Sequence, residues 1–441
     1  MINQILHSFG RLKTALLVPL IALPLAFGYF DGFGLGHLGI GHAVAASAAD
    51  DEAPISAYQQ ALGIIKKDYY GDPITPKKSK ELTFAAIRGM LFSLNDPFTS
   101  FLDPDEWRSM QQTTRGDFEG IGAELEQIGQ EIRVRRPIPE TPAFKIGIKP
   151  GDIIFSVDSY ASATRVSKTT STRGMNINDV VKLIKGPAGT KVGLSIVRKG
   201  SPAPIHYVIT RAHVEPVIVR YWMEDEQNKI GHIMLAEFNE KSDVQLDKAL
   251  TALEKQGMKA LVFDLRYNPG GLLKVAVDVG SRFIESGPVV IIQEKSGQRQ
   301  KLNVDTDQHN HKRIPLAVLV NENSASASEI VAGAIKDNRT GTLVGEHTFG
   351  KGLVQTLFPL DDGSALRLTT AKYFTSNGND ISNKYDDEHR PVFGTGGIKA
   401  DVEVKQSEDW VDLNFDDKVH DTQLQKALEV LRKDLNTSVK K

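Results

Sequence analysis

The hydrophobic positions along the chain change their spacing four times, and each change predicts a different kind of structure. From Pro54 to about Gln112 the period is helical: Ala57, Ala61, Ile64 and Ile65 share one stripe, and Phe84, Ile87, Met90 and Leu91 share another. The Asp96-Pro97 step is read as ending the second helix. Between Gly116 and Val214 the texture shifts to short alternating strands punctuated by glycine, with one helical piece from Asn178 to Lys185. From Glu215 to Val404 buried-strand runs alternate with helices: Ile230 to Phe238, Leu261 to Leu265, Val289 to Gln293 and Leu316 to Val320 as strands, Asp243 to Lys255, Leu272 to Phe283 and Ala327 to Lys336 as helices. That alternation predicts an α/β layer. The tail is amphipathic again from Asp421 to Leu435, with Leu424, Leu428 and Leu431 on one stripe, and packing or subunit contact is its expected role.

The first fifty residues stand apart. Arg11 and Lys13 precede an uncharged apolar run from Ala15 to Phe30, and small-residue sites follow at Ala43-Val44-Ala45 and Ala46-Ser47-Ala48. This pattern predicts an export signal, hence a periplasmic or cell-envelope protein. The Gly-rich stretch from Asp31 to Gly41 sets the small-residue sites far from the apolar run, so an uncleaved anchor in the inner membrane stays open beside cleavage. Five segments result: 1–50 signal or anchor, 51–115 helical region, 116–214 strand-rich module, 215–404 α/β core and 405–441 helical tail.

Composition narrows the chemistry. The chain has 441 residues, enough for two or three cores, and its 53 basic and 55 acidic residues nearly cancel, which gives no electrostatic reason to expect nucleic acid as a partner. It has no cysteine, which removes disulfides, thiolate metal sites and cysteine nucleophiles. His309 and His311 lie in a polar stretch without the frame of a metal-binding helix and are read as a solvated loop, so neither metal nor cofactor is expected.

In the strand-rich module, Phe118 to Leu125 reads as a glycine loop entering a strand, with Ile132-Arg133-Val134 as its hairpin partner. The string from Ala143 to Asp158, with Lys149-Pro150-Gly151-Asp152 before a buried strand, resembles the most recognisable stretch of PDZ domains. The expected function of such a module is capture of protein tails. The backbone N–H groups of Gly120, Ile121, Gly122 and Ala123 converge on a terminal carboxylate, and the next strand accepts the peptide as an added strand. Ile121 and Leu125 favour an apolar terminal residue. Tyr160 to Arg173 is a Ser/Thr-rich, basic insertion read as a mobile surface loop.

Three stretches carry candidate chemistry. Val320 to Glu329 leads from a strand end through Asn321-Glu322-Asn323-Ser324-Ala325-Ser326 into a helix, where a serine is exposed to helix N–H groups that suit an oxyanion; ordinary helix capping by Ser is the competing reading. Phe349-Gly350-Lys351-Gly352-Leu353-Val354-Gln355 places a lysine between glycines before apolar strand residues. If that lysine is buried, its lowered pKa makes the neutral amine a base, and Gln355, on the same strand face as Lys351, could hold it. Phe263 to Gly271 ends a strand in a glycine turn able to present N–H donors.

Together these stretches resemble the carboxyl-terminal processing peptidases, or tail-specific proteases, over about residues 55 to 404. The resemblance implies Ser326 as nucleophile, Lys351 as general base, Gln355 as the amide that orients it, and an oxyanion hole from the backbone N–H of Ala327 with that of Gly270 or Gly271. Ser324 and Ser328 are given no role. It implies an α/β multidomain fold with a crotonase/Clp-peptidase-like core, an inserted PDZ domain built as a partly open β-barrel with helices, and an N-terminal helical segment. Protein substrates with free apolar C-termini are the expected partners, together with a homodimeric assembly, while delivery by an adaptor protein is left open. A lysine base further implies activity rising toward alkaline pH. The extra charged segment from Ser382 to Val392 departs from the family pattern near the substrate entrance.

Overall fold

The computed structural model describes residues 55–438 apart from 163, 387–389, 409 and 411–417. The export or anchor segment expected over residues 1–50 lies outside the described residues.

Two helices come first among the described residues, Ile55–Asp68 and Pro76–Phe92. The second starts where its local chemistry directs: Thr75 Oγ1 accepts from Lys78 N at 3.2 Å, and Pro76 occupies the first turn, where its missing N–H costs nothing. It stops at Phe92, four residues before the Asp96-Pro97 step expected to end it. The apolar stripe of the first helix faces solvent, with Ile64 61% and Ile65 40% exposed and no residue of that helix buried. A third helix, Pro104–Arg115, carries a full capping box between Asp103 and Glu106 and ends on Gly116 at φ 73°.

The strand-rich region forms a six-stranded sheet. Its order runs Ala123–Ile128, Glu131–Pro137, Ile153–Tyr160, Lys191–Val197, Ile205–Thr210, with Val166–Ser171 pairing onto Ile153–Tyr160. Ala123–Ile128 is therefore an edge strand, and the helix Ile177–Ile184 packs beside it. The sheet encloses its own core of Val134, Val157, Val192, Leu194 and Ile196. Residues 166–171 were expected to be a mobile loop; Val166, Thr169 and Thr170 are β-formers, and they pair in register with Tyr160, Asp158 and Val157.

The remaining α/β region has two sheets. One is a largely parallel sheet ordered Val219–Asp225, Ile230–Leu235, Ala260–Asp264, Leu316–Val320, Thr342–Gly345, Val402–Glu403, with only the first strand antiparallel. Its central strands are buried on both faces. Leu261, Phe263 and Val318 join a core with the helices Ser242–Lys255, Leu273–Ser281 and Ala327–Asp337, while Val262, Ala317 and Leu319 meet Leu424, Ala427 and Leu431 of the tail helix Thr422–Ser438. The period-two alternation of a strand divides these residues between the two faces. The second sheet is antiparallel: Ala365–Phe374 pairs with Leu353–Pro359, with Pro288–Glu294 and with the short Ser100–Leu102, while Arg299–Asn303 extends Pro288–Glu294.

A buried ionic chain fastens the tail to the parallel sheet. Glu224 accepts from Lys418 Nζ at 2.7 Å and from Trp222, and faces His232 Nδ1 at 3.4 Å; His232 Nε2 faces Asp264 at 3.3 Å; Arg266 bridges Asp264 and Asp421 at 2.7 and 2.8 Å. His311 also departs from the solvated loop expected of it, its imidazole lying between Asp247 and Glu254 at 3.1 and 3.2 Å.

Candidate active site

The strand Leu316–Val320 and the helix Ala327–Asp337 meet at a six-residue connection that is held from every side. Ser324 Oγ donates to Leu265 O at 2.8 Å and accepts from Asn321 N at 3.0 Å; Ala325 N and Ser328 Oγ both donate to Asn268 O, at 3.0 and 2.8 Å. Ser324 and Ser328 thus spend their hydroxyls on structure. Ser326 differs: it sits at φ 57°, ψ −114°, a conformation that costs a residue other than glycine about 1–3 kcal/mol and persists only where the surroundings enforce it. Its Oγ is buried and has no hydrogen-bond partner among the described residues.

The glycine turn after the strand Ala260–Asp264 lies directly against this junction. A Cβ on Gly270 would come within 2.8 Å of Ser326 Cβ and of Ala327 N, and one on Gly271 within 1.9 Å of Phe238 O. Both positions have positive φ, 99° and 147°, so glycine is required twice over, for space and for conformation. Gly270 N–H is already given to Asn268 Oδ1 at 2.9 Å.

Lys351 was expected on one strand face with Gln355, but the strand begins only at Leu353 and its register with Ala365–Phe374 breaks between Val354 and Gln355. The lysine belongs to the loop before it. It is nonetheless 1% exposed, its Nζ has no hydrogen-bond partner among the described residues, and the ammonium position lies 5.0 Å from the centre of the Phe98 ring. Burial, helped by the nearby Arg367, lowers its pKa from 10.5 to about 7.

Glu329, which the sequence reading left without a role, joins the two halves. Its carboxylate accepts from Ser326 N at 2.8 Å, Lys351 N at 2.9 Å, Gly350 N at 2.7 Å and Thr348 Oγ1 at 2.6 Å. One side chain therefore sets the serine loop against the lysine loop. Burial pushes its pKa up, against the pull of these four donors. Its spacing from Ser326 matches an ordinary capping box, which is why nothing in the sequence marked it. Tyr373 closes the site, donating its hydroxyl to Lys351 O.

In the connection that leads into the module's edge strand, Ile121 is buried, its carbonyl accepts from Ala143 N at 2.8 Å, and the Gly122 carbonyl accepts from Ile138 N at 2.9 Å. The loop from Gly120 to Ala123 is thereby anchored by its carbonyls. A Cβ on Gly122 would come within 2.3 Å of Thr141, so no side chain fits there.

A buried serine and a desolvated lysine held by one glutamate on an α/β core suit serine-type hydrolysis, and comparison with known proteins places the chain among the serine-type peptidases. Residues 229–404 match peptidase family S41. The carboxy-terminal processing protease CtpA of Bacillus subtilis (strain 168) is 38% identical over 339 residues, covering 77% of this chain and 69% of that protein. Among solved structures the chain is similar to a photosystem II D1 C-terminal processing protease, with 32% identity over 79% of this chain and 87% of that one at a TM-score of 0.44. It is also similar to the PDZ domain of a carboxy-terminal protease from Vibrio cholerae in complex with peptide, with 29% identity over 22% of this chain and 97% of that one at a TM-score of 0.20. The chain belongs to peptidase family S41. Within it, the chain is a serine-type carboxyl-terminal processing protease.

Proposed function

We propose that Ser326 and Lys351 form the catalytic dyad of an endopeptidase that selects substrates by their carboxyl-terminal tails. The observation that carries this reading is that Glu329 ties together the backbones of two residues whose side chains are both buried and both unpartnered, a hydroxyl and an amine of pKa about 7. A buried amine without a partner is costly, and a fold keeps one where its neutral form is used. Neutral Lys351 takes the Ser326 proton as Oγ adds to the scissile carbonyl; the lysine ammonium gives that proton to the leaving amine as the C–N bond breaks, and in deacylation the neutral amine takes a proton from the attacking water and returns it to Ser326 Oγ as the acyl bond breaks. The oxyanion rests on Ala327 N–H, at the first turn of its helix, and on Gly271 N–H, because Gly270 N–H is occupied by Asn268. Gln355 orients the amine.

Tail capture falls to the PDZ-like region at Gly120, Ile121, Gly122 and Ala123. Support comes from the free edge of Ala123–Ile128, which can pair with an extended peptide, and from loop carbonyls already satisfied from behind, which leaves the N–H groups to face a carboxylate. Ser326 is fully buried, so a scissile carbonyl reaches it only after the site opens; docking of an apolar tail is the event that opens it. The amino-terminal pattern suits an exported enzyme of the cell envelope.

The test uses two unstructured proteins identical but for their ends, one finishing in a free Ala-Ala carboxylate and one in a charged tail. Wild type should degrade the first faster, with Ser326→Ala and Lys351→Ala inactive on both. Cleavage by either variant at the wild-type rate refutes the dyad, and equal rates on the two tails refute selection by the tail.

A further inference from the structure

The loop between the helix Pro76–Phe92 and the strand Ser100–Leu102 lies some 250 residues from the lysine in sequence but beside it in space. Phe98 lies against the Lys351 amine, Arg367 Nε donates to Phe98 O at 3.2 Å, and Thr369 N donates to Thr99 Oγ1 at 3.2 Å. At the centre of this contact is Asp96. Its Oδ2 accepts from Thr99 Oγ1 at 2.6 Å and from Thr369 Oγ1 at 2.5 Å, and its Oδ1 accepts from Phe98 N at 3.0 Å.

Thr369 is also the partner of Gln355, whose Nε2 donates to Thr369 Oγ1 at 2.8 Å across the paired strands. A hydroxyl has one proton to give and lone pairs to receive. Asp96, an acceptor only, takes that proton, so Thr369 can act toward Gln355 only as an acceptor. The Gln355 amide is thereby fixed with its N–H end toward Thr369 and its oxygen pointing elsewhere. Among the described residues that oxygen and the Lys351 amine are both buried and without a hydrogen-bond partner, so in this structure they are not bonded to each other and each has a bond left to make.

We propose that Asp96 and Thr369 are positioning residues for the reaction: by a directed chain of hydrogen bonds they fix the orientation of the Gln355 amide so that its oxygen, not its nitrogen, serves Lys351. The inference rests on the Ser326/Lys351 reading above. Without the chain the amide can turn over, presenting N–H groups to an amine that must itself point its lone pair at Ser326. Asp96 also acts through its charge. The charged groups around the amine are Arg367, which disfavours the protonated form, and Glu329 and Asp96, which favour it.

Steady-state cleavage by the full chain should be followed against pH for wild type, Thr369→Val, Thr369→Ser and Asp96→Asn, with Ser326→Ala and Lys351→Ala in the same assay. Thr369→Val is expected to lose on the order of 10- to 100-fold in kcat with KM unchanged, the scale of misplacing a reacting group by about an ångström. Thr369→Ser should restore the rate. Asp96→Asn should move the midpoint of the pH profile to lower pH, because the amine loses a neighbouring negative charge. Should Thr369→Val fail to fold by its melting profile, Asp96→Asn carries the test. Wild-type kcat in a folded Thr369→Val, or wild-type plateau kcat in Asp96→Asn, overturns the relay while the dyad stands; an unmoved midpoint in Asp96→Asn overturns the charge effect of Asp96 alone. Undiminished cleavage by Ser326→Ala or Lys351→Ala overturns the dyad itself, and the relay with it.

Discussion

Burial brings the Lys351 amine toward neutrality, as its proposed role as base requires. Its amine titrates near 10.5 when solvated and about 7 in the fold, so kcat/KM should climb through about pH 7 and level off above it, rather than rise steadily into the alkaline range as a lysine base first suggests. A profile with its midpoint near 10 would show that the amine is solvated in the working enzyme. The same shift bears on stability. Between about 7 and 10.5 the unfolded chain holds a proton that the folded chain has lost, so this residue's destabilisation is complete below about 7 and fades as the pH rises to 10.5. Lys351→Met is therefore expected to raise the melting temperature at pH 7, removing a penalty on the order of 4 kcal/mol, with the gain shrinking as the pH approaches 10. Glu329→Gln should act in the opposite sense. A carboxylate that accepts four donors would be replaced by an amide bringing two N–H groups of its own, and both kcat and melting temperature should fall, stability by about 1–3 kcal/mol.

The glycine turn at Pro269-Gly270-Gly271 is the element on which the geometry around Ser326 rests. Gly271→Ala puts a Cβ 1.9 Å from Phe238 O, a contact with backbone that cannot yield, so the variant is expected to lose activity and fold poorly. Circular dichroism melting alongside the cleavage assay would separate these effects, and an active, stable variant would mean that the turn does not pack as described. The turn, the serine junction and the lysine between glycines could all be found in sequence because each is local, a departure from ordinary composition within ten residues. What escaped depends on distance or on mimicry. Asp96 and Thr369 are 273 residues apart, and no spacing rule links them. Glu329 looks like a helix cap because it is one. The apolar stripe of Ile55–Asp68 was visible as a period, but a period does not say whether a partner surface exists. Strand pairing over residues 166–171 was masked by Ser and Thr, which serve loops and edge strands alike.

At the scale of the molecule, the tail is fastened to the catalytic core by charge as well as by apolar packing. Arg266→Ala would take the guanidinium from the buried carboxylates of Asp264 and Asp421, leaving His232 beside Asp264 and no ion pair across to the tail, and a loss of about 3–5 kcal/mol is expected in chemical denaturation. Burial alone would raise the Glu224 carboxyl; hydrogen bonds from His232, Lys418 and Trp222 overcome this and hold it at about 2, so its contribution is present above 4.5 and is lost as the pH falls toward 2. Long-range closure also orders events in time. Ser100–Leu102 takes its place on Ala365–Phe374, and Arg266 waits for Asp421, so residues made early in synthesis depend on partners made near the end. A ribosome making this chain would thus release no working protease until nearly all of it had emerged, and the neighbouring newly made proteins would be spared by the order of assembly alone.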